Sequence, residues 1–224
     1  MRDNIAKISL IMGHYGSGKT NIAVNLALDL AKDGCKVTVV DLDIVNPYFR
    51  SAEFSELFTK SGINCLAPFY ANGNLDIPAL PAAIDGAIEA AEGFVVIDVG
   101  GDDAGATALG RYAAKIKQMG DYKAYCVLNC YRPLSKTPQQ TAELISEMER
   151  TSRLKFDYLI NNSNLGSETT AEDVLNSLKY AAATEALTGL PLCATTIKED
   201  LAEQASDLPK LWPVKIFVKP PWEK

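Results

Sequence analysis

Residues 13–20 have the types and spacing of a loop that binds phosphate groups. Their sequence, Gly-His-Tyr-Gly-Ser-Gly-Lys-Thr, matches the pattern G-x-x-x-x-G-K-[ST] in full. The glycines allow backbone conformations closed to other residues, so successive N–H groups can point inward at phosphate oxygens. Lys19 would place a positive charge against the terminal phosphates, and the Thr20 hydroxyl could ligate Mg²⁺. The pattern therefore predicts a nucleotide-binding phosphate loop.

The chain on either side of this loop supplies the elements that the motif requires. The apolar run Ile8–Met12 predicts a strand before it, and residues 20–32, without Pro or Gly, predict a helix after it. The first turn of this helix would add its partial positive charge to the loop. The predicted nucleotide contacts in the loop are Gly13, Tyr15, Gly16, Ser17, Gly18, Lys19 and Thr20.

Carboxylates follow two other apolar runs of the chain. Asp41 and Asp43 come at the end of the second run, and Asp98 comes at the end of the fourth. Ligands of open α/β sheets bind at the carboxyl ends of the strands, so these side chains should lie near the phosphate loop. Asp98 is predicted to be the second magnesium-directed residue beside Thr20. Just beyond it, the backbone of Gly101 is predicted to approach the γ-phosphate, in a segment that moves after hydrolysis.

The apolar pattern along the chain predicts an α/β fold. Strands are predicted at Ile8–Met12, Lys36–Val40, Ile63–Ala67, Phe94–Ile97, Ala124–Leu128, Tyr158–Ile160, Leu190–Ala194 and Lys215–Val218. Helices are predicted at Asn21–Lys32, Ala82–Ala91, Ala104–Met119, Gln139–Arg150 and Ala171–Leu187, and Thr137 and Thr170 begin capping sequences. This alternation is typical of a mostly parallel, doubly wound sheet of seven or eight strands in a three-layer phosphate-loop fold. No repeat or long linker divides the chain, so one domain over residues 1–224 is expected.

Composition argues against several classes of function. The net charge is −6 and no run of Lys or Arg is present, which argues against sequence-independent binding to nucleic acid. The sequence has neither an apolar leader nor an apolar run of about 18 residues, and prolines in its tail oppose a terminal membrane helix. A cytoplasmic protein that does not act at a membrane is expected. The five cysteines lie mostly in apolar runs and are interpreted as buried thiols.

The phosphate loop, the Asp41-x-Asp43 pair and Asp98-x-Gly-Gly together resemble the MinD/ParA family of ATPases, a branch that includes the nitrogenase iron protein. The resemblance implies ATP as ligand, hydrolysis to ADP with Mg²⁺, and a homodimer. It also implies that Asp43 positions or activates the attacking water and lies at the magnesium site with Thr20 and Asp98. Lys19 would be the second catalytic residue.

One position departs from that family. Its members usually have a second lysine one residue after the first glycine of the loop, and this chain has His14, its only histidine. A neutral imidazole cannot replace a permanent cation in the transition state. Either another cation serves, with Arg50, Arg111 and Arg132 as candidates, or hydrolysis is slow. His14 itself is either a tolerated loop substituent or a contact to phosphate or partner.

The sequence after the sixth predicted strand bears on the choice of base. Guanine-specific relatives have Asn-Lys-x-Asp there, whereas this chain has Asn-Asn-Ser-Asn at 161–164, without the carboxylate that guanine needs. An asparagine amide can donate and accept at the adenine edge. ATP is therefore favoured over GTP, with Asn162 as the first candidate contact and Asn161 as the second; turn formation is the alternative role for each.

The favoured function is a nucleotide-driven switch that acts on an unidentified protein client. Residues 44–50, rich in aromatic side chains, could contact that client or pack locally, and the loop at 68–81 could cover the nucleotide or simply connect two elements. One alternative is a small-molecule kinase or ligase, for which Asp102, Asp103 and Arg132 are the candidate acceptor-site residues. The other alternative is a nucleotide-binding regulator with little hydrolysis.

Overall fold

The computed structural model describes residues 5–43, 54–66, 79–90 and 92–218. The predicted contact segment 44–50, with Arg50, and residues 68–78 of the predicted loop lie outside these described residues. Residues 79–81, which the sequence analysis assigned to that loop, instead begin a helix.

Within the described ranges, eight strands form one sheet in the order β3-β2-β4-β1-β5-β6-β7-β8. Every neighbouring pair is parallel. The strands are β1 Ile8–Met12, β2 Val37–Leu42, β3 Asn64–Leu66, β4 Phe94–Val99, β5 Tyr122–Leu128, β6 Tyr158–Asn161, β7 Leu192–Lys198 and β8 Leu211–Val214. This arrangement confirms the predicted fold class.

The same residues form seven α-helices. They are α1 Lys19–Lys32, α2 Ser55–Lys60, α3 Ala79–Ala90, α4 Asp103–Gly110, α5 Ala113–Met119, α6 Pro138–Ser152 and α7 Ala171–Thr188. Short 3₁₀ helices lie at Pro133–Ser135, Gly166–Glu168 and Glu199–Ala205. Both predicted capping sequences are confirmed, because Thr137 and Thr170 each form a complete capping box at the start of α6 and α7.

The sheet is buried on both faces, because successive side chains of each strand point to opposite sides. On β1, Leu10 and Met12 belong to a core shared with helices α3 to α7, whereas Ile11 belongs to a core shared with α1 and α2. The helices therefore form one layer on each side of the sheet. The carboxyl ends of the parallel strands share one edge, and that edge positions the candidate site.

Two predicted elements differ from the structure, and one helix was not predicted. The predicted helix Ala104–Met119 is two helices, because Arg111 and Tyr112 donate to carbonyls three residues back, to Ala108 and Leu109, and end α4. The sequence analysis also missed α2, which has only 6 residues. The last strand covers Leu211–Val214 rather than Lys215–Val218, whose backbone instead bonds to side chains of α1.

Candidate nucleotide-binding site

The loop between β1 and α1 has a conformation that depends on its glycines. Gly13, Gly16 and Gly18 have φ angles of 148°, 75° and 90°, which side chains on Cβ disfavour. Gly18 precedes α1 in the left-handed conformation, and no side chain caps the helix. The first N–H groups of α1 therefore remain directed at the loop, which is the arrangement that binds anions at helix N-termini.

Lys19, the first residue of α1, places its amine inside the loop. Its side chain is buried, and Nζ donates a hydrogen bond to the backbone oxygen of His14 at 3.3 Å. Burial lowers the pKa of Lys19, and the carboxylates of Asp98, Asp43 and Asp102 oppose that shift. The amine of Lys19 is therefore influenced by three carboxylates, and a bound phosphate group could attract it away from them.

The turn after β4 presses directly on the loop. A Cβ atom at Gly101 would lie 2.5 Å from Lys19 Nζ and 2.7 Å from the backbone nitrogen of Tyr15. At Gly100, a Cβ atom would lie 3.3 Å from Asp43 Oδ1. The two glycines thus allow the ends of β2 and β4 and the phosphate loop to meet, as the sequence predicted.

Three buried aspartates mark this meeting point. Asp41 and Asp98 are in register on the paired strands β2 and β4, and both are almost fully buried. Asp43 is 8% exposed, and its backbone N–H donates to Asp41 Oδ1 at 2.9 Å. Asp41 therefore fixes the chain at Asp43 and leaves the Asp43 carboxylate beside the Gly100 turn.

The donor set suits a magnesium ion that is shared with a nucleotide. The predicted ligands Thr20, Asp43 and Asp98 are buried and offer only oxygen atoms, which Mg²⁺ prefers. In the part of the chain that the structure describes, no group of three or more His, Cys, Asp or Glu side chains could hold a metal ion. In nucleotide sites, Mg²⁺ usually takes its remaining ligands from phosphate oxygens and water.

His14 and Arg132 differ as candidate cations. Burial, followed by the charge of Lys19, lowers the pKa of His14, so its partly buried imidazole is neutral at pH 7. Arg132, after β5, donates from Nε to the backbone oxygen of Gly16 at 2.9 Å. Of the other two candidates, Arg111 lies exposed between α4 and α5, and Arg50 is outside the described residues. Arg132 is therefore the candidate that the described structure brings to the loop.

A cavity of about 330 Å³ continues from the loop along the edge of the sheet. Tyr15, Gly16 and Gly18 line its end at the loop. Its wall also includes residues at the ends of β6, β7 and β8 or just beyond them, among them Asn164, Lys198 and Ile216. Its volume is within the range of small-molecule sites, and it adjoins the loop where phosphates would bind.

The family comparison agrees with this geometry. Residues 8–192 match the model of the CbiA family, described as the CobQ/CobB/MinD/ParA nucleotide binding domain. The chain belongs to that family. It therefore has a nucleotide-binding domain, and the resemblance to MinD/ParA proteins is confirmed at the level of the family. A comparison with the curated proteins found no match.

Solved structures of similar fold extend beyond the CbiA family. FtsY from Mycoplasma mycoides has a TM-score of 0.60 and 18% identity, over 88% of this chain and 62% of that one. FtsY from Thermotoga maritima has a TM-score of 0.58 and 18% identity, over 87% of this chain and 62% of that one. The signal recognition particle 54 kDa protein from Aeropyrum pernix, in complex with GDP, has a TM-score of 0.57 and 18% identity. The match covers 86% of this chain and 41% of that one. These identities show the fold alone, and the chain spans about three fifths of the two FtsY structures and about two fifths of the signal recognition particle protein.

The two predicted base contacts are both engaged by the protein. Asn162 lines the cavity, but its Nδ2 donates to the backbone oxygen of Ser17 at 2.7 Å and its Oδ1 accepts from Thr196 at 2.6 Å. Asn161 is fully buried, bonds to Ser177 and Ser163, and is not among the described residues that line the cavity. Asn162 therefore ties the loop to β7, and Asn161 supports the turn after β6.

Two residues of this CbiA domain were not singled out from the sequence. Asn21 and Asn25 are buried on α1 and bond to the backbone of residues 215–218. The available signal was only that Asn21 and Asn25, four residues apart, share one side of α1 with Asp29, and that an amide, if buried, requires partners. The identity of those partners could not be derived, because they lie about 190 residues away in the chain.

No helix in the described ranges is both long enough and apolar enough to span a bilayer.

Proposed function

We propose that this chain is a cytoplasmic, magnesium-dependent ATPase whose single nucleotide-binding domain, residues 1–224, acts as a switch on a protein client. The observation that carries the proposal is the contact of the Gly101 turn with Lys19 and the backbone of Tyr15. This contact connects the residues that would hold the terminal phosphate to the end of β4. A change at the phosphate can therefore reach an element that a partner could recognise.

Binding would begin with the backbone of the phosphate loop. Its inward N–H groups and the uncapped start of α1 would hold the phosphate oxygens. Lys19 would exchange its hydrogen bond to the His14 carbonyl for contacts with the terminal phosphates. Nucleotide charge would then stabilise the protonated amine, whose pKa is lowered in the protein alone.

Hydrolysis would require a positioned water and a stabilised leaving group. Asp43, held by its backbone bond to Asp41, would orient or activate the water. Thr20, Asp43 and Asp98 would hold magnesium, which would neutralise part of the charge that develops on the phosphates. Arg132, placed on Gly16 from within the same chain, would supply the second cation that His14 cannot provide.

Release of phosphate would relax the segment that follows Asp98. Asp102 caps α4 by accepting from the N–H of Gly105 at 2.9 Å, so a shift of the Gly101 turn would move the start of α4. Helix α4 packs against α6, which carries the shift away from the nucleotide. We propose that a homodimer partner or a protein client reads this change.

ATP rather than GTP is the proposed nucleotide. The described residues that line the cavity include no Asp or Glu that could accept the two N–H groups of guanine, and Glu199 and Asp200 line an adjoining depression instead. Adenine, which needs a donor and an acceptor, places no such demand on the site. Asn162 can take part only by giving up one of its two bonds to the protein.

No specific observation favours the alternative functions. Of the three candidate acceptor-site residues for a small-molecule kinase or ligase, Asp102 caps α4, Asp103 is exposed at the start of α4 and Arg132 lies on the phosphate loop. Only a measurement of the hydrolysis rate would distinguish a nucleotide-binding regulator with little hydrolysis from an ATPase.

Single-turnover hydrolysis tests the proposal. Chain in excess over radiolabelled ATP should convert it to ADP and phosphate with Mg²⁺, and should do so far more slowly with a chelator present. The Arg132→Ala variant should bind ATP but hydrolyse it about tenfold more slowly, since it lacks one charge at the transition state. Tight ATP binding with no conversion by the wild-type chain would contradict the ATPase and favour the regulator.

A further inference from the structure

The last described residues of the chain form one wall of the nucleotide cavity. Val214, Ile216 and Val218 all line it, whereas the residues between them do not. This spacing is that of an extended chain, in which alternate side chains share a face. Residues 214–218 therefore present three apolar side chains to the cavity, although β8 itself ends at Val214.

Asn21 and Asn25 of α1 bind the backbone of this extended segment, as a neighbouring strand would in a sheet. Asn25 donates to the Lys215 oxygen at 2.9 Å and accepts from the Lys215 nitrogen at 2.9 Å. Asn21 donates to the same oxygen at 3.0 Å and accepts from the Phe217 nitrogen at 2.8 Å. The two amides thus supply the hydrogen bonds that a sheet ladder would otherwise provide.

The opposite side of the segment is anchored in the core. Phe217 packs against the core shared by α1 and α2, and its ring centre lies 6.3 Å from that of Phe54 in an edge-to-face contact. With its backbone fixed by α1 and Phe217 packed against the core, the segment has little freedom to turn. Ile216, at 37% exposure, is consequently held toward the cavity rather than free to collapse onto the core.

We propose that Ile216 and Val218 form the apolar surface on which the flat face of the nucleotide base lies, and that Asn21 and Asn25 are the residues that position it. The inference rests on the proposed function, which places the phosphates in the loop. Asn21 follows Thr20 directly, so one turn of α1 links the phosphate site to the base surface. The base is the part of a nucleotide with a large apolar face, and it must extend from the loop into the adjoining cavity.

The test compares ATP with inorganic tripolyphosphate, which has the phosphates but no base. Calorimetric dissociation constants with Mg²⁺ are measured for the wild type and for Ile216→Ala. We expect the variant to bind ATP about fivefold to tenfold more weakly, because the smaller side chain covers less of the base, and to bind tripolyphosphate unchanged. Ile216→Val should recover most of the ATP affinity. Leu187→Ala, on α7 and 51% exposed, is the matched control and should change neither constant.

The positioning role is tested by Asn25→Ala, because Asn25 is not among the described residues that line the cavity. It should weaken ATP binding while leaving tripolyphosphate binding intact, with a folded far-ultraviolet spectrum. If this buried substitution unfolds the chain, the Ile216 comparison still decides.

If Ile216→Ala binds ATP as tightly as the wild type, or loses affinity for ATP and tripolyphosphate equally, the proposal that Ile216 and Val218 form the base surface is wrong. This test measures binding and not hydrolysis. If the wild-type chain binds ATP without hydrolysing it, the proposed ATPase function is contradicted, but the Ile216 comparison still tests the base surface.

Discussion

The two parts of the candidate site, the phosphate end and the cavity that adjoins it, are built in different ways. The phosphate end is formed by one contiguous loop, residues 13–20, together with strand ends that carry Asp43, Asp98 and Gly101. The adjoining cavity is also lined by residues at the ends of β6, β7 and β8 or just beyond them, among them Asn164, Lys198 and Ile216. A phosphate group is recognised by backbone N–H groups and charge, which a short motif can supply. A base is recognised by shape, which requires several distant segments.

This difference predicts that substitutions at the two ends act on different ligands. A change at the loop should affect ATP and tripolyphosphate alike, because both carry the phosphates. A change at residues 214–218 should affect ATP alone. The variants below test the phosphate end and complement the Ile216 comparison.

Lys19→Ala should have the largest effect. Removing the charged contact to the terminal phosphates should weaken both ATP and tripolyphosphate by about 10³-fold, or roughly 4 kcal/mol, in calorimetric titrations. Lys32→Ala, at the exposed end of the same helix, is the control and should bind both ligands normally. Affinity for ATP within a few-fold of the wild type would show that the loop does not hold the phosphates.

Asp43→Ala should separate binding from chemistry. ATP affinity should stay within about threefold of the wild type, while single-turnover hydrolysis should fall about 10²-fold, as expected for loss of a group that orients or activates water. Asp207→Ala removes an exposed carboxylate and should leave both quantities unchanged. Unaltered turnover in Asp43→Ala would remove this residue from the mechanism.

Gly101→Ala should disturb the phosphate end without removing a charge. The added methyl group would lie too close to Lys19 Nζ and to the Tyr15 backbone, so the loop and the turn must move apart. We expect about tenfold weaker binding of both ATP and tripolyphosphate, in line with the usual cost of overpacking. Gly86→Ala, where nothing lies within 4 Å of the new methyl group, should bind both as the wild type does. A selective loss of ATP binding would contradict the division between the two ends.

The smallest effect expected is a pH dependence of stability from His14. Its pKa is lowered in the folded chain, so the unfolded chain takes up this proton at higher pH than the folded one. The free energy of unfolding should therefore fall as pH drops below about 6.5 toward the folded pKa. The free energy of unfolding is measured with urea at pH 7.5 and 5.5. Its decline between these two pH values should be smaller in His14→Asn than in the wild type. The same decline in wild type and variant would mean that His14 titrates as it does in the unfolded chain.

The sequence predicted the phosphate end of the site better than the other end, and the reason is distance along the chain. The glycines, Lys19 and Thr20 form a motif whose geometry is local. Asn162 was predicted to bind the base, yet its amide is engaged by Ser17 and Thr196, residues that only the folded sheet brings near. The apolar runs of the strands likewise made the parallel sheet predictable.

Errors in the predicted elements have the same origin. Residues 215–218 have the composition of a strand and are extended, but their hydrogen bonds go to Asn21 and Asn25 instead of another strand. The break between α4 and α5 follows Gly110, where an added Cβ would lie 3.0 Å from the backbone oxygen of Thr151 on α6. Neither contact is visible in a local pattern of residues.

A crystal structure of the chain with Mg²⁺ and a non-hydrolysable ATP analogue would test the central claim most directly. We expect the triphosphate to lie within residues 13–20, with Lys19 Nζ on its terminal phosphates and the metal beside Thr20 and Asp98. A nucleotide bound elsewhere, or a loop that still holds Lys19 on the His14 carbonyl with no phosphate in it, would contradict the account.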